Sequence, residues 1–422
     1  MFEYEKYKLK NGITVLLAPV KQTKIANIQI YVKVGSRYEG RRNNGITHLI
    51  EHMLFKGTKK RPRGIDISME AENMGAHINA GTAKTFCHIY ANSLSEYFEQ
   101  CLDMLSDMLC NSRFRAEDIA LERGSIIEEI KHYRDIPECR VGEMYDKLLF
   151  KNNSLSFPIG GNESTLSGMK RDALLTFVKK HFTAKNIIIS VSGGIDEERA
   201  KKLIMRYFGG IDSGRENKYA PLRVRQNKPA SAVEARATEQ TQIWIGARSF
   251  EYSHPDFFAL GLMNIILGGS PSSRLYKALR ENRGLVYSVQ SANMSGRDHG
   301  HLLVTAGCAH GSSGKVIKII LSELRKLREK NVTALELKRV KNAIRSSLYM
   351  SLDSSEGIAH YLVSEETARG KIMPPEEKLA LINRTTASDI KRVAEKIFRP
   401  GRMNLAMIGP AKPSEIKRLF QL

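Results

Sequence analysis

Cysteine is scarce in this chain. Five are scattered over 422 residues, at Cys87, Cys101, Cys110, Cys139 and Cys308, and no two form a CxxC pair. The odd, dispersed set argues against a disulfide framework and fits a reducing interior compartment, so a cytoplasmic location is expected. Long apolar runs are also missing. The longest, FFALGLMNIILGG at 257–269, is interrupted by Asn264 and is too short to span a bilayer. The first residues, MFEYEKYKLKNG, are charged and hold no apolar block with a cleavage site, so neither a signal peptide nor a membrane partner is expected. There is no zinc knuckle, no RNP motif and no convincing helix-turn-helix, so nucleic acid is not an expected partner.

What is present reads as globular: 42% hydrophobic and 26% charged residues, over a length that suits two or more domains. The 66 basic residues outnumber the 45 acidic ones, for a formal net charge of +21. A surplus of that size favours acidic substrates, such as the acidic leader segments of peptide precursors.

Two halves of the chain resemble each other. IQIYVKVGSRYE at 28–39 and TQIWIGARSFEY at 241–252 both alternate as half-buried strands do, at a constant offset of 213 that pairs Gln29 with Gln242, Ile30 with Ile243 and Ser36 with Ser249. An apolar helix follows each, GITHLIEHML and FALGLMNIIL. Each half also closes on a short apolar strand, NIIISVSGG at 186–194 and MNLAMIGP at 403–410. The reading is a domain over 1–213, an exposed polar linker over 214–235 and a second domain over 236–422. In the first half, strands are expected near 13–18, 26–35, 76–81 and 85–91, and helices near 94–110, 116–134, 138–149 and 168–181. Strands followed by helices give an α+β class, with helices layered on mostly antiparallel sheets.

Chemistry concentrates in THLIEHMLFKGT, 47–58. His48 and His52 are four apart, so on a helix their imidazoles share one face, and Glu51 stands beside that face. This is the H-x-x-E-H order of an inverted zinc-protease helix. Only about 0.02 such motifs are expected by accident in a chain of this length. At the offset of 213 the three positions become Gly261, Asn264 and Ile265. The second helix thus does without the trio, and packing alone does not require it. A catalytic zinc needs a third protein ligand and an open position. The helix LERGSIIEEIKHYRD, 121–135, supplies candidates. Glu122 and Glu129 are seven apart and nearly share a face; Glu129 is favoured as ligand with Glu122 as its neighbour, while Glu128 and His132 compete.

HLIEH followed about 70 residues later by ERGSIIEE resembles the pitrilysin (inverzincin) family of metallopeptidases. In particular it resembles the half-length branch that includes the mitochondrial processing peptidase subunits and bacterial homologues. GAHINAGT at 75–82 is similar to that family's edge-strand motif, and GGSPSSRLYKALRENRGLVYSV at 268–289 to its glycine-bearing segment with an Arg and Tyr seven apart. Thr85 and Cys87 depart from it, standing where the family more often has Glu and Thr. The resemblance implies a Zn2+ cofactor held by His48, His52 and Glu129, Glu51 as general base and Glu122 as the second glutamate of the site. It further implies Asn79 and Ala80 on the strand that pairs with an extended peptide substrate, and Arg280 and Tyr287 as the pair that holds the substrate and its developing charge. A half-length chain of this kind would close its chamber as a homodimer, or as a heterodimer with a related subunit.

Overall fold

Stretches from both halves of the sequence pair as strands in the computed structural model, which describes residues 2–411 and 413–420. Six of them form a first sheet: β1 (Glu5–Lys8), β2 (Thr14–Pro19), β3 (Ile25–Val32), β4 (His77–Thr82), β5 (Cys87–Leu94) and β6 (Ile187–Gly193), in the order β1-β2-β6-β3-β5-β4. Five form a second: β7 (Ala230–Ala235), β8 (Thr241–Arg248), β9 (Val286–Ser295), β10 (Gly300–Cys308) and β11 (Met403–Gly409), in the order β7-β11-β8-β10-β9. Strand for strand, β7-β11-β8-β10-β9 repeats β2-β6-β3-β5-β4. Each sheet has one parallel pair, β2 with β6 and β7 with β11, and all its other pairs are antiparallel. The chain is α+β in two related copies, and the repeat at offset 213 is a repeat of topology.

Each sheet belongs to its own compact unit. The first unit is built from the chain up to His132, from Phe157–Ala220 and from Tyr349–Thr367; the second from Tyr133–Ser156, Pro221–Leu348 and the chain from Ala368 on. Two segments therefore cross the sequence boundaries at 213 and 236. The helix Pro137–Leu149 comes from the first half of the chain but packs in the second unit, where Val141, Met144, Tyr145 and Leu149 meet Leu303, Ala406 and Ile408. Reciprocally, the helix Ser355–Arg369 sends most of its length to the first unit: the Ser190 hydroxyl of β6 donates to the Ala359 carbonyl at 2.9 Å, and Asn92 of β5 donates to Glu356 at 3.0 Å. A central sheet needs cover on both faces, and each half of the sequence supplies the second cover for the other half's sheet. Among its neighbours in the second unit, Trp244 of β8 is met so closely by Gly142 that a Cβ there would lie 2.9 Å from the indole.

The stretch expected as an exposed linker ends instead in a strand. Ala230–Ala235 is β7, paired in parallel with β11 from Asn404↔Ala230 to Gly409↔Ala235. The small, weakly β-prone side chains hide it in the sequence; the backbone pairing with a fully buried strand overrides that propensity. Two further elements carry no clear sequence signal, the charged edge strand β1 and the helix Gly64–Asn73.

Candidate metal centre

ITHLIEHM folds as the eight-residue helix Ile46–Met53 because Leu49, Ile50 and Met53 recur at helical spacing and bury against the first core. The chain enters it through Gly45 at φ +98°, a left-handed conformation that side chains resist. His48 and His52, one turn apart, stand with ring centroids 4.6 Å apart and planes at 76°. The second contributing helix is Ala116–Asp135, anchored by buried Ile119, Ile126 and Ile130. It brings Glu129 to the histidines: ligand atoms of His48, His52 and Glu129 all lie within 4.8 Å of one another, the one such metal-capable group among the described residues. Two imidazoles and a carboxylate are the donor set of a catalytic zinc, so the residues fit that ion. Glu128 does not join them, since it is exposed and pairs with Lys131 at 2.7 Å. His132 is exposed on the same helix and outside the group.

Glu51 points into the same space. Its Oε2 lies 3.9 Å from His48 Nε2 and accepts a 3.0 Å hydrogen bond from the Thr82 hydroxyl at the end of β4. Glu122 stands behind His52: its Oε2 is 3.0 Å from His52 Nδ1, and Lys56 Nζ is 2.5 Å from its other oxygen. That arrangement turns the His52 Nε2 edge toward Glu129 Oε2, 3.9 Å away. Burial, with His52 adding to it, pushes the His48 imidazole down to about 4, which keeps the ring neutral and able to bind a cation. Burial also raises the Glu51 carboxyl, against the opposing pull of His52 and Thr82. Burial works upward on Glu122 too, but the contacts from Lys56 and His52 outweigh it and hold that carboxyl below its ordinary range.

Several supporting residues escape a reading of motifs. Lys56 and Thr82 are two. Lys56 lies four residues past His52 and could have been found by helical spacing; Thr82 needed the tertiary fold. A third is Glu39, 5% exposed, which accepts from Asn44 Nδ2 at 2.8 Å, Gly45 N at 2.7 Å and Thr47 N at 2.9 Å at the start of the histidine helix. The loop Pro158–Asn162 closes on the same place: Asn44 Nδ2 donates to the Pro158 carbonyl at 2.9 Å, and a Cβ on Gly161 would lie 2.3 Å from the Asn44 carbonyl oxygen.

Comparison with known proteins shows the family. Residues 14–163 match the family model for insulinase (peptidase family M16), and residues 168–344 match the peptidase M16 inactive domain. An uncharacterized zinc protease of Rickettsia felis is 34% identical over 404 residues, covering 96% of this chain and 97% of that protein. The chain belongs to peptidase family M16. A second M16 relative, an uncharacterized zinc protease of Bacillus subtilis, is 30% identical over 96% of this chain and 98% of its own length. Among solved structures, a protease from Helicobacter pylori superposes with a TM-score of 0.90 at 20% identity, covering 97% of this chain and all of that one. An M16 inactive domain from Pseudomonas fluorescens superposes with a TM-score of 0.91 at 19% identity, covering 97% and 98%. At these identities the two structures speak for the fold, which is that of a half-length M16 protein.

The remaining expected site residues of this M16 chain fall on separate elements. Asn79 and Ala80 lie on β4, which pairs with β5 on one side only and is a sheet edge. Asn79 is exposed, and its side-chain oxygen accepts from Ala80 N at 2.8 Å. Thr82 on the same strand is the residue that holds Glu51. Arg280 and Tyr287 belong to the second unit, where the guanidinium sits 5.8 Å from the Tyr287 ring centroid and 5.3 Å from that of Tyr276; Tyr287 is 74% exposed. The pair is preformed and turned to solvent. No helix among the described residues is long and apolar enough to cross a membrane.

Proposed function

We propose that this chain is a zinc-dependent endopeptidase that hydrolyses peptides or short unfolded segments. The observation that carries the reading is the meeting of His48, His52 and Glu129 from two helices some 70 residues apart, with Glu51 beside them and tied to an edge strand. His48, His52 and Glu129 would hold the ion. Once bound, zinc supplies Lewis acidity, making water a nucleophile near neutral pH and polarising a peptide carbonyl. Glu51 is the general base: its carboxylate takes the proton of the attacking water and returns it to the departing amine. The upward pull of burial on its pKa suits a group that must both accept and release that proton. Glu122 and Lys56 fix the tautomer and orientation of His52. Asn79 and Ala80 offer backbone groups on the free edge of β4, so an extended peptide adds as a further strand with little regard to its side chains. Arg280 and Tyr287 stabilise developing negative charge on the substrate carbonyl.

Two finer readings belong with this one. Arg280 and Tyr287 serve the metal centre across a homodimer that closes a chamber; active enzyme sedimenting as a monomer would refute it. The enzyme favours acidic peptides, because most of the basic surplus belongs to the second unit. The second unit has 36 basic against 18 acidic residues, the first 30 against 27. The five free cysteines fit a reducing, cytoplasmic setting. The central experiment is digestion of a mixed peptide library with and without chelator, read by mass spectrometry. Zinc-dependent cleavage is the expected result; a chain that neither binds zinc nor cuts any peptide overturns the proposal.

A further inference from the structure

The helix that carries both histidines is poorly equipped to hold itself in place. Eight residues span about 12 Å, and a helix that short is marginal without outside support. Its first-turn N–H groups need acceptors, yet the N-cap is Gly45, which has no side chain to offer. Glu39, six residues upstream of Gly45, takes Gly45 N and Thr47 N on its two oxygens, together with Asn44 Nδ2. All three partners are neutral; burial pushes the Glu39 carboxyl up from its ordinary range, and the contacts from Asn44, Gly45 and Thr47 pull against that. An Asn or Ser at the cap could accept from Thr47 N but not from its own N–H, so Glu39 does what a cap side chain could not.

We propose that Glu39 is a positioning residue for the metal centre: its carboxyl group fixes the start of the histidine helix and so the place of His48. The inference rests on the zinc reading above. Glu39 is anchored to Thr47, the residue before a ligand. The anchoring continues around the ring. Asn44, held by Glu39, also binds the Pro158 carbonyl, and its own carbonyl accepts from the Thr165 hydroxyl at 2.8 Å. That fastens the loop whose Gly160 backs the ligand ring, a Cβ there lying 3.7 Å from His48 Nδ1. Glu39 and Asn44 thus brace the start of the histidine helix, and the Gly160 backbone stands against the His48 ring.

The test is Glu39→Gln in the full chain, with zinc affinity read by chelator competition and Tm measured with and without zinc. We expect the zinc Kd to rise about 10- to 100-fold, the zinc-induced gain in Tm to shrink, and KM at saturating zinc to stay unchanged. A purely structural cap would lower Tm equally in both states and leave the zinc Kd alone, and that result overturns the proposal. Should Glu39→Gln not fold, Glu39→Asp is the milder variant, one methylene shorter and so drawn back from Gly45 N and Thr47 N. It should weaken zinc several-fold, and a wild-type Kd in that variant likewise overturns the proposal. A wild-type chain that binds no zinc refutes the underlying metal reading instead, so the two failures are distinguishable.

Discussion

The histidine helix Ile46–Met53 and the helix Phe257–Gly268 follow equivalent strands of equivalent sheets, yet they do opposite work. The second is apolar almost throughout, burying Ala259, Leu260, Leu262, Met263, Ile266 and Leu267. Where the first has His48, Glu51 and His52, it has Gly261, Asn264 and Ile265. The partner helices diverge in the same way. Aligning Ala116–Asp135 with Ala334–Ser351 on their packed residues, Ile126 with Val340 and Ile130 with Ile344, sets Glu122 beside Glu336 and Glu129 beside Ala343. One glutamate survives in the second unit, and its company has changed. Glu122 holds a histidine; Glu336 holds Arg274 through bonds of 2.8 and 3.0 Å and accepts from Thr333 N at 2.8 Å. The comparison teaches that this fold does not need a metal. A salt bridge fills the structural place of the second glutamate, so packing does not account for the polar groups kept in the first unit beyond that.

The sharpest way to break the contrast is Glu51→Gln. Turnover should fall about 10²- to 10⁴-fold with zinc content unchanged, whereas Asn264→Asp at the matching position should leave turnover near wild type. Full activity in Glu51→Gln would show that the two helices do not differ in the way argued. Next comes the surviving glutamate. Glu122→Gln should weaken zinc about 10- to 100-fold as His52 loses its orienting partner; Glu336→Gln should leave zinc affinity alone. Equal effects from both would erase the distinction between a site glutamate and a structural one.

A smaller effect is expected from charge. If the basic second unit attracts acidic peptides, their KM should rise several-fold between low salt and about 0.15 M salt, where the Debye length is about 8 Å. Neutral peptides of the same length should change little, and parallel salt curves for the two sets would remove the basic unit from substrate choice. The smallest effect concerns stability. Burial works upward on Glu336, but Arg274 and Thr333 outweigh it and hold the carboxyl down to about 2. A depressed carboxylate pKa stabilises the fold above its ordinary value near 4.5, and that contribution is lost as pH falls toward about 2. Glu336→Gln should therefore melt lower than wild type by about 2–6 °C at neutral pH, with the gap closing below about pH 3. A gap that persists at pH 2 would mean the loss is one of packing.

Much of the first unit is legible in the sequence because its signals are local. The strands near 13–18, 26–35, 76–81 and 85–91 appear as Thr14–Pro19, Ile25–Val32, His77–Thr82 and Cys87–Leu94, and the helix near 116–134 as Ala116–Asp135. Periodicity reports burial along one element, and these elements bury in the expected way. It is silent on partners. Nothing in PECRVGEMYDKLL says that Pro137–Leu149 will cover the other half's sheet, since an amphipathic face does not name the surface it meets. Nothing in ASAVEA marks β7, whose stability comes from the backbone of β11.

The candidate site divides along the same line. A four-residue spacing fixes two imidazoles on one helical face whatever surrounds them, because the helix period is a property of the backbone. The sequence therefore determined His48, Glu51 and His52 as a unit, together with the α+β repeat that carries them. On the second helix it favoured Glu129 over its neighbours. The meeting of Glu129 with the histidines, along with the placing of Thr82, Lys56 and Glu39 around them, was decided by tertiary structure. Distances between segments tens of residues apart follow from how buried faces pack, which no local period encodes.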